Sequence, residues 1–247
     1  MINSDNLHQT GTHVDQTVLA ESLQQASKLG HLQPNAVIGP NAIIQLHTAL
    51  LQQLGWQAMQ DIFAAAAMTH YLQQAPAQMV DEREVARLHR QVRRHCQPGC
   101  AKAIMTAAGD LTGQYILNNR IPRPVVWLLR RLPAGLSAQL LQRAIDKHAW
   151  TFAGSGSFTI GPTAGAPTGV ITASIVHNPV VALETSDAPI CHWHAAVFQR
   201  LFRELISAHT TVTETHCCAA GNAACQFRIS FWSDDVDALA ESAVVPG

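Results

Sequence analysis

The chain has 247 residues, 47% of them hydrophobic and only 13% charged, with a formal net charge of -1. That length and apolar content are ample for a sizeable folded unit with a buried core. A near-neutral balance with no basic run of five or more removes the general electrostatic argument for nucleic acid or for an anionic membrane surface.

Residues 1-35 are polar and rich in Gln, Ser, Asn and Thr, and they read as a mobile arm with a short helix near Val18 to Leu29. The arm lacks the cationic start and apolar core of a secretory signal. No stretch of the sequence approaches the roughly 18 to 20 apolar residues of a membrane span. A cytoplasmic protein with reduced thiols is therefore expected. From Asn41, a capping residue, Ile43, Leu46, Leu50 and Leu54 recur at helical spacing. Gly55 ends that helix and a second starts at Trp56. Asp81 opens another over "DEREVARLHRQVRRH", with acids first, cations last and Val85, Leu88 and Val92 in one stripe. "CQPGC" reads as a loop, with Cys96 and Cys100 lacking the second pair a metal site needs. A long helix follows it, broken near Gly113. Two more, "VVWLLRRLP" and "LSAQLLQRAIDKHAWTF", are set off by Pro122 and Pro133. Residues 36-150 thus form a helical region.

The character changes at Thr151, where Gly, Ser, Thr and β-branched residues favour strands and loops. "PICHWHAAVFQRLFRELISAH" returns to helix, with Trp193, Val197, Leu201 and Leu205 along one face. "TTVTETHC" and "CQFRISFW" read as two strands around "AAGNAA". In the second, Cys225, Phe227, Ile229 and Phe231 alternate with Gln226, Arg228 and Ser230. The fold class is α+β. A helical N-terminal half packs as one globular unit with an antiparallel-sheet, ligand-binding module over 151-232, and 233-247 are a tail.

Three of the six cysteines, with Glu214 and His216, fall within "ETHCCAAGNAAC". A hairpin brings Cys217 and Cys225 together, and the preceding helix can deliver Cys191 from its start. Joint ligation by Glu214 and Cys217 requires a bulge or strand end, because residues three apart on a regular strand face opposite ways. On spacing alone a metal site and plain buried thiols stand level. A disulfide ranks third, and an iron–sulfur cluster that adds Cys218 fourth.

The segment "PICHWHAAVFQRLF…ETHCCAAGNAACQFRIS" resembles the C-terminal part of the vinyl-4-reductase domain, a module also found in phenol-responsive transcription activators. In those sensors zinc is held by a cysteine after a proline, a glutamate 23 residues on, a cysteine three later and a cysteine eight after that. Cys191, Glu214, Cys217 and Cys225 reproduce the intervals, so the resemblance implies zinc at these four. With its four donors filled the site would be structural. Arg228, His192 or His216 would compensate the excess negative charge, and His216 is the alternative to Glu214. "VDEREVARLHRQVRRH", "AGDLTGQYILNNRIP", "AIDKHAWTFAGSGSF" and "PICHWHAAVFQRLF" extend the likeness, over roughly residues 36-232, to the J-protein family of bacteriochlorophyll biosynthesis. That family is named for 4-vinyl reduction, the position also numbered 8.

The resemblance implies a protein acting at the 4(8)-vinyl reduction stage that binds a magnesium tetrapyrrole intermediate of the divinyl (proto)chlorophyllide type. Partners would be other bacteriochlorophyll-biosynthesis enzymes and a second copy in a homodimer, with no nucleic acid. Reduction needs a bound nicotinamide, flavin or cluster. Gly154, Gly156 and Gly161 in "GSGSFTIG" do not have dinucleotide-binding spacing, and no helix follows them. Binding and delivery are therefore favoured over a self-contained reductase with an unrecognised cofactor site. A small-molecule-sensing module is the third reading. His148, Trp150, His192, Trp193 and His194, clustered around the change from helix to sheet, are the candidate pocket residues. Arg120 and Lys147 are the candidate partners for a propionate.

Overall fold

The structure, a computed structural model, describes residues 32-231. The helix expected near Val18 to Leu29 and the 233-247 tail lie outside the described residues. Helix α1, Asn41–Ala65, is capped by Pro40 rather than by Asn41, which sits in the first turn and accepts a hydrogen bond from Gln45. Gly55 interrupts α1 with φ 81° and ψ 177°, a conformation open to glycine and costly for other residues, so the break expected there is real. After the short α2, His70–Gln73, two-residue strands β1, Val37–Ile38, and β2, Val80–Asp81, pair antiparallel. Helix α3, Glu82–His95, starts as its sequence dictates: the Asp81 carboxylate accepts the Arg83 amide N–H at 2.8 Å, and Val85, Leu88 and Val92 are buried.

Helix α4, Pro98–Asn119, runs without the break expected near Gly113. Its two central glycines serve close packing instead. A Cβ on Gly109 would lie 2.3 Å from the Trp193 carbonyl oxygen, and one on Gly113 would lie 2.7 Å from Arg200 Cβ. Both neighbours belong to helix α8, His192–Leu205, so the small residues let two backbones approach. Between them in sequence come α5, Arg123–Leu129, α6, Ala134–Lys147, and the single turn α7, Trp150–Ala153.

Four strands form one antiparallel sheet in the order β3-β4-β6-β5, with β3 Ser157–Pro162, β4 Val170–Val176, β5 Thr211–His216 and β6 Ala224–Ser230. The alternation read in β6 holds: Cys225, Phe227 and Ile229 are buried, as is Phe231 just beyond, and Arg228 is exposed. Helix α8 lies against this buried face, with Phe198 edge-on to Phe227 at 5.4 Å and Phe202 at 6.2 Å from Phe231. Trp193, Val197, Leu201 and Leu205 are all in the core. Helix α8 is thereby held between α4 and the sheet.

A fully buried carboxylate also joins the helices to the sheet region. Glu82 accepts the amide N–H of Gln33, the amide N–H of Ser155 and the Ser155 hydroxyl, at 3.1, 2.7 and 2.6 Å. Gly154, at φ 58°, brings the chain close enough that a Cβ there would meet Glu82 Oε2.

Candidate functional site

Strand β5 pairs regularly with β6 up to Glu214, and the register then shifts between Glu214 and His216. That irregularity is what joint use of Glu214 and Cys217 requires, because it frees the two from facing opposite ways. Ligand atoms of Cys191, Glu214 and Cys225 lie within 4.8 Å of one another. Cys217 Sγ lies 3.8 Å from Cys225 Sγ. Two sulfurs each about 2.3 Å from a tetrahedral centre stand about 3.8 Å apart, so this pair fits zinc. The three cysteines have no exposed surface.

The electrostatics of the cluster point the same way. Burial, then the neighbouring Cys191 and Cys217, push the Glu214 carboxyl up to about 10. Its Oε2 accepts the Cys191 amide N–H at 2.7 Å, while its buried Oε1 has no partner among the described residues. Burial opposes ionisation of Cys191, yet contacts with Cys225, His194 and Arg93 hold that thiol well below its usual range. Hydrogen bonding from Cys225 brings Cys217 down to about 6, and Cys225 is raised because its proton serves the surrounding sulfurs. Four acidic groups thus share too few counter-charges to ionise together. A bound dication supplies that charge and gives Oε1 a partner. The donor set fits the metal.

Compensating groups lie where the spacing pattern did not point. Asn178 uses its side-chain oxygen to accept the Val180 N–H at 3.2 Å, capping the 3₁₀ turn Pro179–Val181. Its amide nitrogen is thereby aimed at Cys191 Sγ, 3.1 Å away. His194 Nδ1 is also 3.1 Å from that sulfur, with Nε2 3.3 Å from the Phe152 carbonyl oxygen. The Cys218 amide N–H donates to Cys225 Sγ at 3.3 Å. Arg228 and His216 are exposed, and His216 sits against the Thr215 hydroxyl. His192 is half-buried. The asparagine had no legible signal: it lies in "HNPV", with no fixed interval to any cysteine.

The five candidate pocket residues do not share one environment. Trp193 is in the core, edge-on to His89 at 5.9 Å, and His194 is buried beside Cys191. His148 and Trp150 are exposed, Trp150 by 58%. His148 Nδ1 is 2.8 Å from the Ala144 carbonyl oxygen, so Nδ1 carries the proton and Nε2 keeps a free lone pair. Arg120 and Lys147 are both exposed. Cys96 and Cys100 flank the start of α4, where burial and then Cys100 push the Cys96 thiol up to about 11.

The vinyl-4-reductase domain family matches residues 171-231, which span β4, α8, β5, β6 and all four candidate ligands. Beyond it, the chain is 46% identical over 192 residues to the bacteriochlorophyll synthase 23 kDa chain of Cereibacter sphaeroides, covering 78% of this chain and 89% of that one. The chain belongs to the bacteriochlorophyll synthase 23 kDa chain family. The Rhodobacter capsulatus relative of that name is 37% identical over 190 residues, 77% of this chain and 85% of its own length. Like these members of the family, the chain is a bacteriochlorophyll-biosynthesis protein, here with a vinyl-4-reductase domain in its C-terminal part. Among the described residues no helix is long and apolar enough to cross a membrane.

Proposed function

We propose that this chain binds a divinyl (proto)chlorophyllide-type tetrapyrrole at the 4(8)-vinyl reduction stage and delivers it to other enzymes of bacteriochlorophyll synthesis. Zinc at Cys191, Glu214, Cys217 and Cys225 fixes the sheet module on which that binding depends. The observation that carries this reading is the donor set. Four protein donors around one ion leave no position for substrate or water, so the centre holds α8 against the β5–β6 hairpin and performs no chemistry itself. In a bacteriochlorophyll-biosynthesis protein, binding is the role that remains.

His148 and Trp150 are the ligand-facing members of the candidate set. The free Nε2 of His148 suits the central magnesium of a chlorophyllide, since its other nitrogen is already committed to Ala144. The exposed Trp150 indole offers a flat apolar face for the macrocycle. Lys147, next in sequence to His148, is placed to meet the propionate. The buried Trp193 and His194 support the site from below rather than touching ligand.

Titration of purified, zinc-loaded protein with divinyl chlorophyllide, followed by fluorescence quenching, tests this. Binding is expected to weaken about tenfold or more in His148→Ala and in Trp150→Ala, and to weaken for the magnesium-free pigment in the parent protein only. Adding NADPH alone should give no 8-vinyl reduction. Turnover without added proteins would establish the self-contained reductase instead, and preferential binding of small phenols the sensing module.

A further inference from the structure

The net charge of -1 conceals a strong local imbalance. Residues 120-150 hold six of the 16 Lys and Arg but only one of the 17 Asp and Glu, Asp146. All six cations are exposed. Arg130 pairs with Glu204 at 2.8 Å; among the described residues the other five have no carboxylate partner. The same stretch carries five of the large hydrophobic side chains left open to solvent: Val125 at 41%, Trp127 at 57%, Leu128 at 44%, Leu136 at 52% and Leu140 at 43%. A folded surface rarely leaves so many together without something to cover them.

The arrangement is specific. In α6 the buried side chains are Ser137, Ala138, Leu141 and Ile145, which repeat at helical spacing and face the core. Leu136, Leu140, Arg143 and Lys147 follow one another at intervals of four, three and four, so they share the opposite, outward stripe. In α5 only Leu129 is buried, and Arg131 stacks over the exposed Trp127 ring at 4.4 Å. The Ser137 hydroxyl donates to the Leu129 carbonyl at 2.6 Å, joining the start of α6 to the end of α5.

We infer that the α5–α6 face docks on an anionic membrane surface, with Trp127, Leu128, Leu136 and Leu140 entering the interface and Arg123, Arg131, Arg143 and Lys147 meeting lipid phosphates. Apolar and basic side chains interleaved on one helical stripe match the two halves of a lipid headgroup region, diffuse negative charge over hydrocarbon. A second copy fits less well. A two-fold interface would set this cationic face against itself with only Asp146 to compensate. The inference does not depend on pigment binding, because its test contains no pigment.

Flotation of the full, zinc-loaded chain with vesicles of equal parts phosphatidylglycerol and phosphatidylcholine tests it. The chain is expected to float with these vesicles, to stay behind with pure phosphatidylcholine, and to be released by salt of about 0.5 M. Each cation lost should weaken binding about fivefold, so Arg131→Gln with Arg143→Gln should weaken it roughly thirtyfold. Trp127→Ser should weaken it as well, and Arg228→Gln, on the exposed face of the sheet, should leave it unchanged. Thermal midpoints equal to the parent's would confirm that these surface variants fold. The inference is overturned if the parent ignores anionic vesicles or if Arg228→Gln weakens binding as much as the α5–α6 pair. It is equally overturned if Trp127→Ser converts a dimer to a monomer in sedimentation without lipid, since a second copy would then cover the face.

Discussion

Cys225 depends on three other donors for its chemistry, and so do Cys191, Cys217 and Glu214 on theirs. Replacing Cys225 by Ser removes one proposed zinc donor and leaves the remaining acids crowded in a buried site. Breaking a buried charged cluster costs on the order of 3–5 kcal/mol. For a chain of this size the midpoint of thermal unfolding should drop by about 10 °C or more, with zinc content falling by elemental analysis. His89 gives a pH dependence of its own. Burial, then Arg93, lower it to about 3, while Nε2 stays on the Ala42 carbonyl at 3.0 Å. Below about pH 6.5 the unfolded chain binds a proton that the folded chain refuses. Stability measured in urea should therefore fall as pH drops from about 6.5 toward 3, and His89→Gln should make that fall shallower. The periodicity that put Trp193 on the core stripe of α8 was the sounder reading of that residue. Its chemical character as a tryptophan beside two histidines suggested a pocket, but a helix turns adjacent side chains about 100° apart. Neighbours in sequence need not share a site.

Elements were legible where one local rule decided them. The Asp81 cap, the glycine break at position 55 and the two-residue alternation of β6 each follow from chemistry within a few residues. Gly113 was not, because a glycine within a helical run reads as a weakness until its neighbour is known. Gly109 and Gly113 are where α4 and α8 approach most closely. Gly109→Ala would force the added methyl into the Trp193 carbonyl oxygen, which is backbone and cannot swing away. A loss of about 1–3 kcal/mol is expected from urea unfolding. Gly99→Ala, in the first turn of α4 with open space around its Cβ position, should be neutral or slightly stabilising. If both substitutions behave alike, the close approach of the two helices is not what Gly109 provides.

At the scale of the whole molecule, the contacts between helices and sheet come from residues far apart in sequence, which local pattern cannot reveal. Glu82 joins Gln33 to Ser155 through one carboxylate, and Asn178 reaches Cys191 across a turn. The convergence of Cys191, Glu214 and Cys225 was the exception, legible because family resemblance supplied intervals that physics alone left level with buried thiols. The enclosure of the three sulfurs sets when the proposed zinc can enter. With α8 closed over the hairpin, Cys191, Cys217 and Cys225 present no surface to a hydrated ion, so loading belongs to synthesis and folding rather than to later exchange. A cell starved of the ion during translation would make copies that a later supply could not repair without first unfolding them.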